Sequence, residues 1–386
     1  MMLTRRRLAA GLMATSGIGF GFRRAAAQSV PASPTSFLGF SQVVELSGPR
    51  AREGDAWRNG VELAVQEINA AGGVLGQGLS MITLNIENGH AAVQRALEPP
   101  PLALLGPLGD AAARMAAPMA RAANVACITG AEAPDLTGFG SVVRATPGLA
   151  VRAPRLAGWM AGQMNVHRVG IAWGTLEPGR TGHEFWVRAL RTAGLDITMD
   201  QGIAPTATSI VGQVGAFARD SVEAVLLLLP PADALRFLRE FRRQNLQKPV
   251  VGDSVLAAPR FVARAGQEVE GVRCQVDFLA DPPAPGTASA TAMAGFAARY
   301  RGAFKEEPDS PSVRGYTAVG LLAAGLDRLG RPDHAGLASA LKGLRIKAGA
   351  PGMILDTAIE PSGEMTRPTF MIEIRSGKPA LLATLG

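Results

Sequence analysis

Apolar and polar positions alternate along this chain in two periods, and one early segment shows both. From Asp55 to Gly73, the apolar residues Trp57, Val61, Ala64, Val65 and Ile68 recur at helical spacing and share a face. Asp55 is placed to cap the helix start with its carboxylate. Gly72 and Gly73 are placed to stop it, because glycine takes the left-handed conformation that ends helices. Upstream, the apolar run Phe37 to Val44 ends in the turn Glu45-Leu46-Ser47-Gly48-Pro49. Downstream, Met81 to Glu87 alternates Ile82, Leu84 and Ile86 with other residues, the period of a strand. Strand, loop, helix, glycine turn and strand make a βαβ crossover.

The rest of the chain repeats this grammar. Strands are expected at 103–109, 125–129 and 141–144, with an Ala-rich helix at 110–123. Thr146-Pro147-Gly148 then breaks the chain. A second run has strands at 168–173, 197–203, 224–229, 249–252 and 272–279. Its helices are expected at 149–164, 184–193, 209–219, 232–244 and 259–265. Longer helices at 290–304 and 312–329 and a shorter one at 334–342 follow, then a strand near 353–355. A hairpin closes the chain, with strands at 369–375 and 379–382 around the turn Ser376-Gly377-Lys378. Short buried strands alternating with helices predict parallel sheets covered on both faces. Two such runs predict two doubly wound lobes with several crossovers and a cleft between them. Lobe 1 is expected to comprise 37–146 plus about 280–350, and lobe 2 147–279 plus about 351–386. Ligands of such sheets bind beyond the C-terminal strand ends.

The N-terminus departs from this pattern. Thr4-Arg5-Arg6-Arg7-Leu8 opens a basic stretch, Ala9 to Phe22 is weakly apolar, and Ala25-Ala26-Ala27 offers small residues for cleavage before Gln28. The apolar part is shorter than the roughly 20 residues a membrane helix needs. Residues 1–28 therefore read as an export signal resembling the twin-arginine type, cleaved near Ala27, with a Pro/Ser linker at 29–36 and a periplasmic destination for the mature protein. This changes the charge picture. Of the net charge of +7, the five arginines before residue 28 supply +5, so no electrostatic case for nucleic acid remains. Cys127 and Cys274 sit in apolar strand-like runs, where buried free thiols fit better than a disulfide.

Catalytic and cofactor motifs are missing. There is no phosphate-binding G-x-x-x-x-G-K-[ST], and the glycine-rich stretch Gly72 to Gly78 follows a helix instead of opening one. His90, His167, His183 and His334 are isolated in sequence, and neither cysteine has metal-ligand spacing. Gly252-Asp253-Ser254-Val255-Leu256 lacks the second glycine of a nucleophile elbow. The expectation is no enzyme, no cofactor and no metal. The chemistry should lie in the strand-end loops, whose polar members include Glu45, Arg52, Glu53, Asp110, Glu132, Glu177, Arg180 and Asp253. Any one of these also fits a solvated loop charge.

Several strings resemble the type I periplasmic solute-binding proteins of the Leu/Ile/Val-binding family, the extracytoplasmic receptors of ABC importers. They are Leu46-Ser47-Gly48-Pro49, Asn59 to Val65, and Glu67-Ile68-Asn69-Ala70-Ala71-Gly72-Gly73-Val74-Leu75-Gly76, with echoes at Gly106-Pro107-Leu108, Pro134-Asp135-Leu136-Thr137 and Tyr316-Thr317-Ala318-Val319. The resemblance implies two Rossmann-like lobes joined by three crossovers, closing by a hinge on a small amino-acid-like or amide-like solute. It implies a monomer that delivers this solute to a membrane permease and its ATPase; a sensor presenting its closed form to a membrane receptor or kinase is the alternative. By position in the family pattern, Asp253 stands where relatives place the acid that holds the ligand ammonium. Arg52 and Glu53 stand near an expected aromatic residue. Asp110 and Ala111 fill a loop usually rich in hydroxyls, and Ala131 and Glu132 replace a usual Ala-Thr pair. Trp173 and Arg180 border the loop that carries Tyr-Gly in relatives. A ligand carboxylate facing Asp110 and Glu132 would lose its donors, at roughly 1–3 kcal/mol per charged bond. Cationic, neutral amide-like and aromatic solutes therefore stand beside amino acids as expected ligands.

Overall fold

The computed structural model describes residues 36–176, 179–282 and 286–386. The expected export signal, most of the linker, and Glu177 and Pro178 lie outside the described residues.

The first run folds as β1 (Phe37–Val44), α1 (Ala51–Ala70), β2 (Gly78–Asn85), α2 (His90–Leu97), β3 (Ala103–Leu105), α3 (Asp110–Ala122), β4 (Ala126–Thr129) and β5 (Val142–Arg144). Its five strands form one parallel sheet in the order β2-β1-β3-β4-β5. The second run is α4 (Leu149–Gly162), β6 (Arg168–Gly174), α5 (Gly179–Thr192), β7 (Asp196–Ile203), α6 (Val211–Gly215), β8 (Ala224–Leu228), α7 (Pro231–Arg243), β9 (Val250–Gly252), α8 (Pro259–Ala265) and β10 (Arg273–Val276). Three helices follow, α9 (Ala288–Phe304), α10 (Ser310–Leu329) and α11 (His334–Leu341). The tail holds a small antiparallel sheet of β11 (Arg345–Ile346), β12 (Thr357–Ile359) and β13 (Met365–Thr366). The hairpin β14 (Thr369–Arg375) and β15 (Lys378–Leu385) joins the second sheet, whose order is β15-β14-β10-β9-β8-β6-β7. The chain thus passes between the two large sheets three times, after β5, after β10 and after β13.

Successive residues of each buried strand point to opposite faces, and both faces are covered. In the first sheet Leu104 and Cys127 pack with Ala113, Ala117 and Ala120 of α3, while Leu105 and Ile128 join Trp57 and Val61 of α1 on the other side. In the second sheet Ile171 and Leu226 face Leu156 and Leu190, while Val225 and Leu227 face Phe237 and Phe241. This is why the strands read as continuous apolar runs.

Helix α1 packs on α10 with almost no space between the backbones. A Cβ on Gly60 would lie 1.9 Å from the Ser312 carbonyl oxygen, and one on Gly315 would lie 2.2 Å from that of Trp57. Trp57 is fully buried and donates its indole N–H to Gln42 at 3.2 Å, which satisfies its polar edge.

The differences from expectation are local. Helix α1 begins four residues before Asp55, so Asp55 is no cap; it pairs with Arg58 at 3.1 Å on the first turns. Gly72 and Gly73 do end the helix with positive φ. Helix α2 has a single apolar face over only two turns (Ala92, Val93, Ala96, Leu97), too brief for a periodic signal. Met353 to Leu355 is buried but unpaired by strands, and the pairing falls to β11, β12 and β13 around it.

Candidate functional site

The C-terminal ends of β3 and β4 carry the loops 106–109 and 130–133. In the order β2-β1-β3, the chain leaves β1 and β3 in opposite directions, which opens a crevice between their ends. Glu45, after β1, fills it. Its carboxylate accepts the amides of Gly109 at 2.7 Å and Leu108 at 3.3 Å. Arg50 lies among Glu45, Glu53 and Asp110, bonded to Glu53 at 2.9 Å through Nε. In the neighbouring loop the Thr129 hydroxyl accepts the Ala131 amide at 3.1 Å. Asp110 accepts the amides of Glu132 at 2.9 Å and Ala133 at 3.0 Å. As first residue of α3, Asp110 also sets its own negative charge against the positive end of the helix. The amides of Leu108, Gly109, Ala131, Glu132 and Ala133 are thus taken by the protein's own acids and hydroxyl.

Arg144, fully buried at the end of β5, anchors these loops from beneath. Its guanidinium donates to the carbonyls of Ala131 and Ala133, and its Nε bonds Glu364 at 2.9 Å. Glu364 also accepts the Gly148 amide at 2.8 Å, tying the first crossover to the turn between β12 and β13.

Facing the loops is a cluster of charges drawn from both sides of the cleft. Arg314 of α10 donates to Glu132 at 2.5 Å, to Asp277 at 3.0 Å and to the Gly130 carbonyl at 3.2 Å. Arg152 of α4 donates to Asp277 at 2.5 Å and to the Gln275 carbonyl at 3.0 Å, and its Nε lies 3.7 Å from Glu132. Asp277, in the crossover after β10, is fully buried between the two guanidiniums. Burial alone would raise its carboxyl, but Arg152, Arg314 and Arg367 outweigh that and hold it well below the usual range. Buried charges persist only when paired in this way.

Asp253, just after β9, completes the cluster. One of its oxygens accepts the Val255 amide at 2.9 Å in a tight turn. Burial raises its carboxyl, the Glu132 carboxylate raises it further, and Arg152 and Arg314 only partly oppose this. Glu132, in the loop after β4, and Asp253, in the loop after β9, thus both act within the field of Arg152 and Arg314. Glu132 keeps 28% of its side chain open.

Of the residues expected from sequence, Asp110, Ala131, Glu132 and Asp253 converge here, with Glu53 held beside Arg50 at the margin. Ala111 and Arg52 face solvent, and so does Arg180 at the start of α5. Trp173 stacks on His183 of α5 at 4.2 Å, and both rings bond Asp200 of β7, at 2.7 and 2.9 Å. Sequence reading gave no site role to Arg152, Arg314, Asp277 or Arg144, the last appearing only in the family-like string Val143-Arg144. Their only local sign is a lone charge inside an apolar run, as Asp277 has in Val276-Asp277-Phe278-Leu279. Among the described residues no group of three or more His, Cys, Asp or Glu could hold a metal, and no helix is long and apolar enough to cross a membrane.

The fold is shared with known structures. A leucine binding protein LivK from Thermotoga maritima superposes with TM-score 0.78 at 17% identity, over 90% of this chain and 99% of that one. LivJ from Streptococcus pneumoniae, in complex with isoleucine, gives 0.77 at 20% identity over 91% and 99%. A solute binding protein of an ABC transporter from Rhodopseudomonas palustris, in complex with 3,4-dihydroxybenzoic acid, gives 0.77 at 19% over 90% and 97%. In sequence, the chain is 22% identical over 366 residues to Leu/Ile/Val-binding protein homolog 7 of Brucella abortus, covering 90% of this chain and 91% of that protein. The family model described as periplasmic binding protein matches residues 41–379, nearly the whole folded part, and the chain belongs to the periplasmic binding protein family.

Proposed function

We propose that this protein is the solute-binding receptor of an ABC importer, exported to the periplasm and binding a small amino-acid-like or amide-like solute by closure of two lobes. The observation that carries this reading is the cluster in which Arg314 and Arg152 join Glu132, just after β4 of the first sheet, to Asp277, just after β10 of the second, so that the strand ends of both sheets meet at one place. A solute held there touches both lobes and so favours the closed form by its differential affinity for it. Lobe 1 takes 37–146 plus about 280–350, and lobe 2 takes 147–279 plus about 351–386, so the three chain passages form the hinge. The closed receptor, as a monomer, then delivers its solute to a permease driven by an ATPase. The cleft binds its solute without turnover, in keeping with the periplasmic binding protein family.

A thermal-shift screen of the mature protein against amino acids, amides, amines and aromatic acids tests the reading, because a ligand of the native state raises the melting temperature. A saturable shift with one solute class is expected. No shift across all four classes would overturn it.

A further inference from the structure

Strand β2 is an outer strand of the first sheet, and its free edge is unguarded. The other outer strands of the two large sheets carry features that keep edges from pairing: shortness, charge, proline or a break in register. β5 is only three residues long. β7 holds Asp196 and Asp200 and shifts register against β6. β15 opens on Lys378-Pro379 and shifts register against β14. β2 runs eight residues, from Gly78 to Asn85, with no charge, no proline and an unbroken register on β1. The direction of its backbone groups follows from two contacts. The Gly78 amide donates to the Ser36 carbonyl at 2.8 Å, so Gly78 and, by alternation, Ser80, Ile82 and Leu84 turn their main-chain groups toward β1. The odd-numbered residues turn theirs outward. Leu79 is capped there, since the Asn69 side chain accepts its amide at 2.7 Å and donates to its carbonyl at 2.9 Å. Among the described residues no side chain caps Met81 or Thr83 in this way, and β1 is the one strand paired with β2. Between them Ile82 is 63% exposed, on the face where α2 covers Leu84 but not Ile82.

We propose that this edge pairs with the same edge of a second copy of the chain, β2 antiparallel to β2, about a twofold axis at Ile82. Met81 of each copy then lies opposite Thr83 of the other, and each such pair exchanges both of its N–H···O bonds. The register is self-complementary, which is what a twofold interface requires. The two Ile82 side chains meet as the non-hydrogen-bonded pair, where side chains approach most closely, and cover each other's apolar surface. The strand holds no charge that would meet its own like across the axis. Asn69 ends the ladder at Leu79, so the contact is short. It buries less than the roughly 1,200 Å² of a stable interface, and the dimer is therefore weak and reversible, with the monomer dominant at low concentration. An extended strand of another protein would use the same bonds, but the second copy alone brings one exposed Ile82 onto another. The pairing is independent of what the cleft binds.

Sedimentation velocity of the mature protein from about 5 µM to about 500 µM, a range that spans weak reversible contacts, tests this. A dimer that grows with concentration is expected. Ile82→Lys sets two like charges on the axis at an exposed position, and should remove the dimer while leaving the melting temperature unchanged. Ile82→Cys should cross-link two copies on mild oxidation, because the paired side chains lie within disulfide reach. Ser80→Cys, on the same face but opposite Leu84 of the other copy, should not. Cys127 and Cys274 are buried and do not compete. A protein that stays monomeric up to the highest concentration overturns the proposal, and so does a dimer that Ile82→Lys leaves intact. Cross-linking of Ser80→Cys as readily as Ile82→Cys overturns the register, and with it the pairing at Ile82.

Discussion

The carboxylate of Asp110 accepts the backbone amide of Glu132 at 2.9 Å and that of Ala133 at 3.0 Å, so a side chain from the start of one helix closes the loop after the next strand. Asp110→Ala should leave both amides short of a partner and cost about 1–3 kcal/mol in a urea melt. Asp110→Asn keeps the acceptor oxygen and should lose much less. Equal losses in the two variants would show that the charge, and not the bond, matters.

Asp253 is expected to hold ligand without holding the fold together. Its fixed bond is a local one to Val255, and it belongs to no ion pair within 4 Å among the described residues. Asp253→Ala should weaken the solute found in the thermal-shift screen by tenfold or more while leaving the unliganded melting temperature within a few degrees of wild type. Unchanged affinity in calorimetry would remove Asp253 from the site.

Arg144 is a structural arginine. It is fully buried, bonds two loop carbonyls and pairs with Glu364. Breaking such a buried pair from one side typically costs about 3–5 kcal/mol. Arg144→Met should therefore lower stability by that order in denaturant melts, and a change under 1 kcal/mol would contradict the role.

Asp309 caps α10 by accepting the Ser312 amide at 3.1 Å, with the Ser312 hydroxyl bonded back to the Asp309 amide at 2.9 Å. Burial is the main cause pushing its carboxyl up to about 6 from 3.8. The folded state thus holds this proton more tightly than the unfolded chain. The stability it contributes is complete below about pH 4 and is lost as pH rises through 6. Two pKa units correspond to about 3 kcal/mol, and partial solvent access tempers this to about 1–3. Asn is an equally good cap without the charge. Asp309→Asn should flatten the decline in stability between pH 4 and 7, followed by urea melts at each pH. An unchanged slope would show that the group titrates normally.

The approach of α1 to α10 depends on two glycines. A methyl at Gly60 would overlap the Ser312 carbonyl, and helix backbones cannot yield as a flexible side chain can. Overpacking of this kind costs about 1–3 kcal/mol. Gly60→Ala should be destabilised by that order, although alanine has the higher helix propensity. Stabilisation in a thermal melt would mean that the helices separate freely.

The βαβ grammar was legible because each strand and helix repeats its own apolar period, and burial on both sheet faces makes strands such as Ala224 to Leu228 continuous apolar runs. The place of Asp253 directly after a strand was legible as well. Asp55 misled because an acid in a first turn and an acid at a cap look alike in sequence. The partners of Trp173 were not legible, because His183 and Asp200 reach it only through the fold.

The sequence by itself determined the alternation of elements, the glycine stops after α1 and the family-like opening string, all of which are local in the chain. Only the tertiary structure brought Glu132, Arg152, Asp277 and Arg314 into one cluster, and only it spent the loop amides on Glu45 and Asp110. Periodicity reports which face of an element is buried. Which charge meets which depends on crossovers that join residues more than a hundred positions apart, and a buried charge is tolerable only where that meeting occurs.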